Sequence, residues 1–274
     1  MRVLVAHEIL HRYAQPAAGV VQLLRLTPRN HGGQYVVDWR IDVSENCLLQ
    51  QHEDAFGNIT HVLSGEAALE ELRIRVDGEV ETQDTHGVVS GSVERFPPRL
   101  YLRETPLTQA DDAIIEMAGK ASEAAKGDVL GILHQLMERL NGHLEFDAAA
   151  AGASPAAEAF AAKKGGCRDF SHIFIAAARH LEIPTRYISG HALVSNGGIE
   201  QRSTQAWAEA FVPDLGWVAF DAVNCLCPTD AHVRVAMGLD YLGAAPARGS
   251  HLGGGDVVVD VSVRVSQDRS QLQS

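Results

Sequence analysis

The sequence predicts an α+β protein, in which a β-rich first part is followed by helices and then by an antiparallel sheet. Candidate strands recur about every 10 to 12 residues in the first part, and apolar residues then take helical spacing. Strands return after Pro184, and the segment 96–108 carries three prolines that end the β-rich part. We therefore predict a β-domain over residues 1–105 and a core domain over residues 106–274.

The β-domain is predicted to be a β-sandwich or barrel-like unit. Residues 34–43 alternate between apolar and mostly polar side chains, as a sheet with one solvent-facing side requires. Residues 54–58 predict a turn between two strands. The predicted strands are separated by short polar or glycine-containing breaks and cover residues 1–10, 20–26, 34–43, 47–53, 59–64 and 69–80.

The helices of the core are predicted from capping residues. Thr108 is expected to cap a helix over about 109–125, Asp128 caps the next, and Ser154-Pro155 begins a third. The segment 167–183 places apolar residues on one helical face and predicts a buried amphipathic helix. The later predicted strands cover 185–194, 203–212, 217–224 and 257–265, with turns at 196–198 and 213–216.

Composition excludes several classes of partner. Lys and Arg total 23 against 35 Asp and Glu, and the formal charge of −12 repels nucleic acids and anionic membranes alike. No stretch approaches the roughly 20 apolar residues that span a bilayer. The apolar run at the N-terminus is interrupted too early for a signal peptide, and four cysteines are too few for a disulfide-stapled scaffold. We expect a cytoplasmic location.

Cys167 is the first candidate for chemistry, because it follows two glycines and opens a predicted helix. Unpaired N–H groups and the positive end of the helix dipole favour a thiolate at such a position, and the thiolate is the form that attacks carbonyls. The alternative is that Cys167 is a small hydrophobic residue at the start of a buried helix.

Two long segments carry a family resemblance. GGCRDFSHIFIAAARHLEIPTRYISGHA resembles the nucleophile segment of the transglutaminase-like superfamily, and QAWAEAFVPDLGWVAFDAVN resembles the hairpin that holds its other catalytic residues. The first 100 residues, with RLTPR and EDAFGN, resemble the β-domain of bacterial transglutaminase-like cysteine proteases. The resemblance implies a papain-like core, with helices packed on an antiparallel sheet, and a Cys-His-Asp triad.

The resemblance assigns Cys167 as the nucleophile and Asp221 as the carboxylate, but the position of the histidine holds Gln205. An amide donates and accepts hydrogen bonds, so Gln205 can still bridge the other two residues. It neither takes up nor releases a proton at neutral pH, so acylation of the cysteine is expected to be severely impaired.

Two other histidines are candidates to replace the missing imidazole. His172 lies about 140° around the helix from Cys167 and is expected to point elsewhere. His191 falls roughly opposite residues 205 and 206 if the two strands form a hairpin, and the register decides whether it is a surrogate base or an ordinary polar residue.

Further motifs give weaker indications. Cys225 and Cys227, with His232 behind them, have a spacing that structural zinc sites rarely use, so no metal site is expected. The glycines at 253–255 lack the setting of a phosphate loop and predict a flexible turn. Trp207 and Trp217 are expected either to line a substrate cleft or to pack in the core.

The resemblance implies thiol-dependent acyl transfer or hydrolysis on a peptide or protein substrate, with hydrolysis favoured over cross-linking and no cofactor required. The alternative hypothesis is a catalytically silent module that binds a peptide or protein in the same cleft. Gln205 supports this alternative, whereas the retained Cys167 and Asp221 argue against it. The oligomeric state is not predicted.

Overall fold

The structure is a computed structural model and describes residues 1–44, 47–65, 68–150, 152–193 and 204–267. Up to residue 102 the chain forms β1 (Arg2–Thr27), β2 (Gln34–Val43), β3 (Cys47–Glu53), β4 (Ile59–Gly65), β5 (Leu69–Thr82), β6 (Val88–Val89) and a 3₁₀ helix (Pro98–Leu102). The remaining elements are α1 (Asp112–Ala124), α2 (Val129–His143), β7 (Glu145–Phe146), α3 (Ala156–Ala162), β8 (Lys164–Gly165), α4 (Cys167–His180), β9 (Thr185–Ala192), β10 (Gln205–Val212), β11 (Gly216–Phe220), β12 (His232–Gly238), α5 (Tyr241–Ala244), β13 (Ala247–Gly253) and β14 (Val257–Gln267). Among these described elements, no helix is long and apolar enough to cross a bilayer.

The first sheet is built around β1, which is one strand of 26 residues rather than the two strands that were predicted. It pairs with β4 and β5, and β2 and β3 complete the two edges. Shifts in register occur between Arg12 and Ala17 and between Ala17 and Gly19. These irregularities let the strand continue through a segment of few large apolar residues, which had predicted a break.

The two sheets exchange strands across the predicted boundary at residue 105. β13 and β14 both pair with β1, so the first sheet has seven strands, two of them from the end of the chain. In return β6 pairs with β11 of the second sheet. The division into domains at this boundary stays a prediction, and the valines of 257–265 form the predicted strand in the first sheet.

The second sheet is antiparallel, with the strand order β12-β9-β10-β11-β6, and α4 packs on it. Alanines at 206, 208 and 210 turn toward α4 and let the helix approach closely, because they add little volume to the interface. The apolar face of α4 is fully buried, as its helical spacing predicted. The α+β class and the papain-like arrangement of helices on an antiparallel sheet are confirmed.

The helix caps are partly as predicted. Asp128 caps α2, where its carboxylate accepts from the N–H of Gly131. The predicted cap of α1 at Thr108 is wrong, because Asp111 accepts from the N–H of Ile114 and begins the helix three residues later. The Thr108 hydroxyl instead accepts from the buried guanidinium of Arg179. α3 begins after Pro155, without a side-chain cap.

Candidate active site

Cys167 is the first residue of α4, and its side chain reaches the start of β10. The thiol lies 3.6 Å from the carbonyl oxygen of Thr204, to which it donates, and the backbone N–H of Ala206 is directed at the sulfur. Residue 205 lies between these two backbone groups. The structure therefore places the Cys167 sulfur beside the backbone at residue 205, the position where the resemblance placed a histidine.

The start of α4 is fixed by Asp169, the third residue of the helix. Its carboxylate accepts from the backbone N–H of Gly166 and from that of Ser154. A Cβ at Gly165 would lie 2.8 Å from the Asp169 side chain, so only glycine lets the chain pass this close. The two glycines before Cys167 thus allow the approach that holds the nucleophile at the helix N-terminus.

Burial governs the ionisation of the thiol. It raises the pKa of Cys167 to about 11, although the Arg168 charge and backbone N–H groups act in the opposite direction. The Asp221 charge raises the pKa further. The sequence predicted a position that favours a thiolate, but the cysteine is only 6% exposed and desolvation outweighs the helix N-terminus. The thiol is therefore neutral at neutral pH.

The pH dependence of Cys167 alkylation by iodoacetamide tests this ionisation. We expect the rate to rise about tenfold per pH unit above neutrality and to level off only near pH 11, because the thiolate is the reactive form. Replacing the three other cysteines by serine leaves Cys167 as the sole reporter. An apparent pKa at or below the usual value of about 8.5 contradicts the burial argument.

The register of β10 decides which side chains share the face of Gln205. Gln205 lies opposite Gly190, and Ala208 lies opposite Phe220. Side chains at 205, 207 and 209 therefore share one face of the sheet. Continuing the same register places Asp221 opposite residue 207, diagonal to Gln205 on that face. Residue 205 is therefore adjacent to the backbone groups that contact the sulfur and diagonal to the carboxylate of Asp221.

Asp221 follows β11 in a turn that supplies its hydrogen bonds. Its carboxylate accepts from the backbone N–H of Val223 at 3.0 Å, from that of Asn224 at 3.1 Å and from the Asn224 amide at 2.7 Å. The group is 3% exposed. These donors fix the orientation of the carboxylate, which an orienting residue in a triad requires.

His232 is a neighbour of Asp221 that sequence reasoning missed. Its Nε2 lies 3.5 Å from a carboxylate oxygen of Asp221. The backbone N–H of Thr229 donates to Nδ1, whereas Nε2 is buried and forms no hydrogen bond within the described part of the chain. The sequence had suggested His232 only as a weak metal ligand. No local signal reveals the contact, because it forms only when the connection after β11 folds back.

His191 does not take the place of the missing imidazole. The predicted pairing with residues 205 and 206 is wrong by one residue, since Gln205 pairs with Gly190 and His191 turns to the other face. Its ring packs 5.4 Å from His7 and 6.3 Å from Trp39. Burial, together with His7, holds the pKa of His191 well below its usual range. The turn predicted at 196–198 lies outside the described residues.

His172 lies elsewhere, as expected. Its Nε2 accepts from the backbone N–H of Tyr241, and its Nδ1 contacts the carbonyl oxygen of Ser154 at 3.3 Å. Both ring nitrogens are thus occupied by the backbone, and burial lowers the pKa of His172 to about 4. These backbone contacts give His172 a structural role in α4.

The other residues that the sequence singled out are core tryptophans, free cysteines and glycines of a connection between strands. Trp207 and Trp217 are buried in the core, 3% and 5% exposed. Cys225 is exposed and Cys227 half-buried, and both are free thiols. The three glycines at 253–255 all have positive φ and connect β13 to β14, which confirms the predicted turn.

A buried ion cluster supports the site from the same face of the sheet. Glu209 is fully buried and binds Arg186 and Arg234, each with a shortest N–O distance of 2.7 Å. Arg186 also pairs with Glu94, and its guanidinium lies 3.9 Å from the ring centre of Trp217. The cluster joins β9, β10 and β12, the strands that set the register of Gln205.

Comparisons with known proteins show which families and structures the chain is similar to. The bacterial transglutaminase-like N-terminal region matches residues 3–81, and the transglutaminase-like superfamily matches residues 116–222, which include all three candidate site residues. An uncharacterized protein of Mycobacterium leprae is 26% identical, with 97% of this chain and 99% of that protein covered. A crystal structure described as a "Putative Cysteine Protease" from Cytophaga hutchinsonii is 19% identical and has a TM-score of 0.77, with 98% of this chain and 92% of that chain covered. Residues 116–222 therefore belong to the transglutaminase-like superfamily, and residues 3–81 form a bacterial transglutaminase-like N-terminal region.

Proposed function

We propose that the chain is a thiol-dependent acyl transferase or hydrolase of amide bonds in a peptide or protein substrate. Cys167 is the nucleophile, Asp221 is the orienting carboxylate, and Gln205 occupies the position of proton transfer. The observation that carries the proposal is the contact of the Cys167 sulfur with the backbone on both sides of residue 205. Hydrolysis is favoured over cross-linking by the family resemblance, and the cytoplasmic location stays a prediction.

The proposed reaction begins when the Cys167 thiol releases its proton to solvent water, and the thiolate then attacks the carbon of the amide carbonyl. Cys167 stands at the N-terminus of α4, and the positive end of the helix dipole there is suited to stabilise the negative oxygen that forms. Departure of the amine requires a proton, which the amide of Gln205 does not supply. The expected result is a slow enzyme that reacts best with acyl groups whose leaving group needs no proton.

A second function is favoured by Gln205 and by the neutral thiol. A protein with this cleft and no working base binds a peptide or protein partner without cleaving it. The buried sulfur, with its pKa raised to about 11, is then a small core residue at the edge of the cleft.

An activated ester distinguishes the two functions, because p-nitrophenolate leaves without protonation. On incubation with p-nitrophenyl acetate we expect one equivalent of p-nitrophenolate per chain and an acetyl group on Cys167, found by peptide mass spectrometry. Cys167→Ala should abolish this burst, whereas Cys225→Ser, which removes an exposed thiol, should leave it intact. A burst that persists in Cys167→Ala, with acetyl groups only on other residues, supports the binding module instead.

A further inference from the structure

A cavity of about 340 Å³ opens next to the nucleophile. Its walls come from β1, β13 and β14 of the first sheet, together with Arg168 of α4 and Thr204, which precedes β10. Arg168 follows Cys167 in the chain, and the carbonyl of Thr204 accepts from the Cys167 thiol. The cavity therefore lies beside the Cys167 sulfur, on the side of the first sheet. We call it the basic pocket.

The charge of the basic pocket is opposite to that of the whole chain. Its lining contains two arginines and three histidines and no acidic residue, although the chain has a formal charge of −12. The Arg168 guanidinium donates to the carbonyl of Gly152 and lies 4.6 Å from the ring centre of Tyr241. The Arg248 guanidinium donates to the carbonyl of Leu242. Within the described residues, neither arginine forms an ion pair with a carboxylate.

Buried polar groups on β1 face the same cavity without a partner among the described residues. Both ring nitrogens of His7, which is 2% exposed, lack a hydrogen bond, as do Nδ1 of His11 and the hydroxyl of Tyr13. Burial lowers the pKa of His7 to about 4, so its ring is neutral and offers one donor and one acceptor. Buried polar groups are rarely left unpaired, so their presence points to a polar ligand.

The wall of the basic pocket that carries these polar groups is otherwise apolar. Ile9 lies between His7 and His11 on β1, and the valines at 257, 259 and 261 of the neighbouring strand β14 lie beside them on the same face. A short aliphatic chain of a ligand can pack against this wall. A carboxylate on that chain can accept hydrogen bonds from the two guanidinium groups. A glutamyl side chain has both parts, and so does the C-terminal residue of a peptide.

We propose that the basic pocket is a binding subsite of the Cys167 site and holds a carboxylate-bearing residue of a peptide substrate. Its adjacency to the reaction rests on the proposed function, whereas its binding of a carboxylate does not. The subsite selects substrates in which an acidic side chain or a terminal carboxylate lies near the scissile amide. Arg168 and Arg248 are the residues that recognise the charge.

Binding of three short peptides to the whole chain, measured by isothermal titration calorimetry, tests the proposal. Acetyl-Ala-Glu amide carries the carboxylate on its side chain, acetyl-Ala-Gln carries it at the C-terminus, and acetyl-Ala-Gln amide is the neutral analogue. We expect at least one carboxylate peptide to bind about tenfold or more tightly than the neutral one, as charge-assisted hydrogen bonds allow. Which of the two binds better identifies the source of the carboxylate.

Matched variants locate the binding. Arg248→Gln should remove most of the preference for the carboxylate, whereas Arg264→Gln, an equal charge change at an exposed β14 position outside the pocket lining, should retain it. The bound carboxylate peptide should also slow alkylation of Cys167 by iodoacetamide. Equal binding of all three peptides, no saturable binding at millimolar concentration, or a preference that survives Arg248→Gln overturns the proposal. Selective binding without protection of Cys167 overturns the subsite assignment. The burst experiment with the activated ester does not depend on the basic pocket. Its outcome is therefore independent of the peptide-binding and protection experiments.

Discussion

Replacement of Gln205 by histidine is expected to raise amidase or esterase activity about 10²- to 10⁴-fold, the range that general acid–base catalysis contributes. Residue 205 lies between the backbone groups that contact the Cys167 sulfur, on the face that the register shares with Asp221. An imidazole at this position can take the proton of the thiol and deliver it to the leaving amine. Its positive form also stabilises the thiolate, so the pKa of Cys167 should fall from about 11.

The experiment compares initial rates on an amide and on an activated ester, with Gln205→Asn as the matched control. Asparagine keeps an amide without adding a proton-transfer group, so its activity should stay at the level of the parent. In the Gln205→His background, Asp221→Asn should remove much of the gain, because the imidazole loses its orienting carboxylate. A folded Gln205→His variant with rates within about twofold of the parent would refute the triad assignment and favour the binding module.

Replacement of Glu209 by glutamine is expected to lower the free energy of unfolding by about 3–5 kcal/mol, the usual cost of removing one partner from a buried ion pair. Glu209 and Arg186 are both completely buried, and Arg234 is nearly so. The variant leaves these guanidinium groups without their shared carboxylate, and Arg186 keeps only Glu94. Urea unfolding followed by circular dichroism measures the loss without the screening that a charged denaturant causes.

Two comparisons sharpen this result. Glu94→Gln is the matched control, because this carboxylate is 35% exposed and its removal should cost about 1 kcal/mol or less. The second is pH. Burial opposes ionisation of Glu209, yet Arg234 and Arg186 outweigh it and hold its pKa at about 2, below the ordinary 4.5. The stabilisation is therefore complete above about pH 4.5 and is lost as the pH falls toward 2. A Glu209→Gln variant as stable as Glu94→Gln would contradict the argument.

Local patterns predicted most of the elements but not all of their ends. The strands β2 to β5 and the helix α4 have strong alternation or helical spacing, and these patterns depend only on near neighbours. The start of α1 was predicted at Thr108 because threonine is a good cap, but Arg179 from α4 binds its hydroxyl. That competition arises from the tertiary structure, which no local pattern contains.

The candidate site was predicted from motifs, and its surroundings were not. Cys167, Gln205 and Asp221 were identified by resemblance, and the structure places the Cys167 sulfur against the backbone on both sides of residue 205. The pKa of the thiol could not be predicted, because the helix N-terminus is visible in the sequence and the burial that outweighs it is not. The contact of His232 with Asp221 and the true register of His191 depend equally on how distant strands meet.

The pairing of β1 with β14 affects the order in which the chain can fold. Val3 lies opposite Gln267, so β1 leaves the ribosome well before the strand with which it pairs. Until then one edge of β1 is open, and open strand edges pair readily with other chains. Closure of such a long loop is also slow compared with local folding. The basic pocket, whose walls include β1, β13 and β14, is therefore completed only after β14 has been made, together with the protection of that edge.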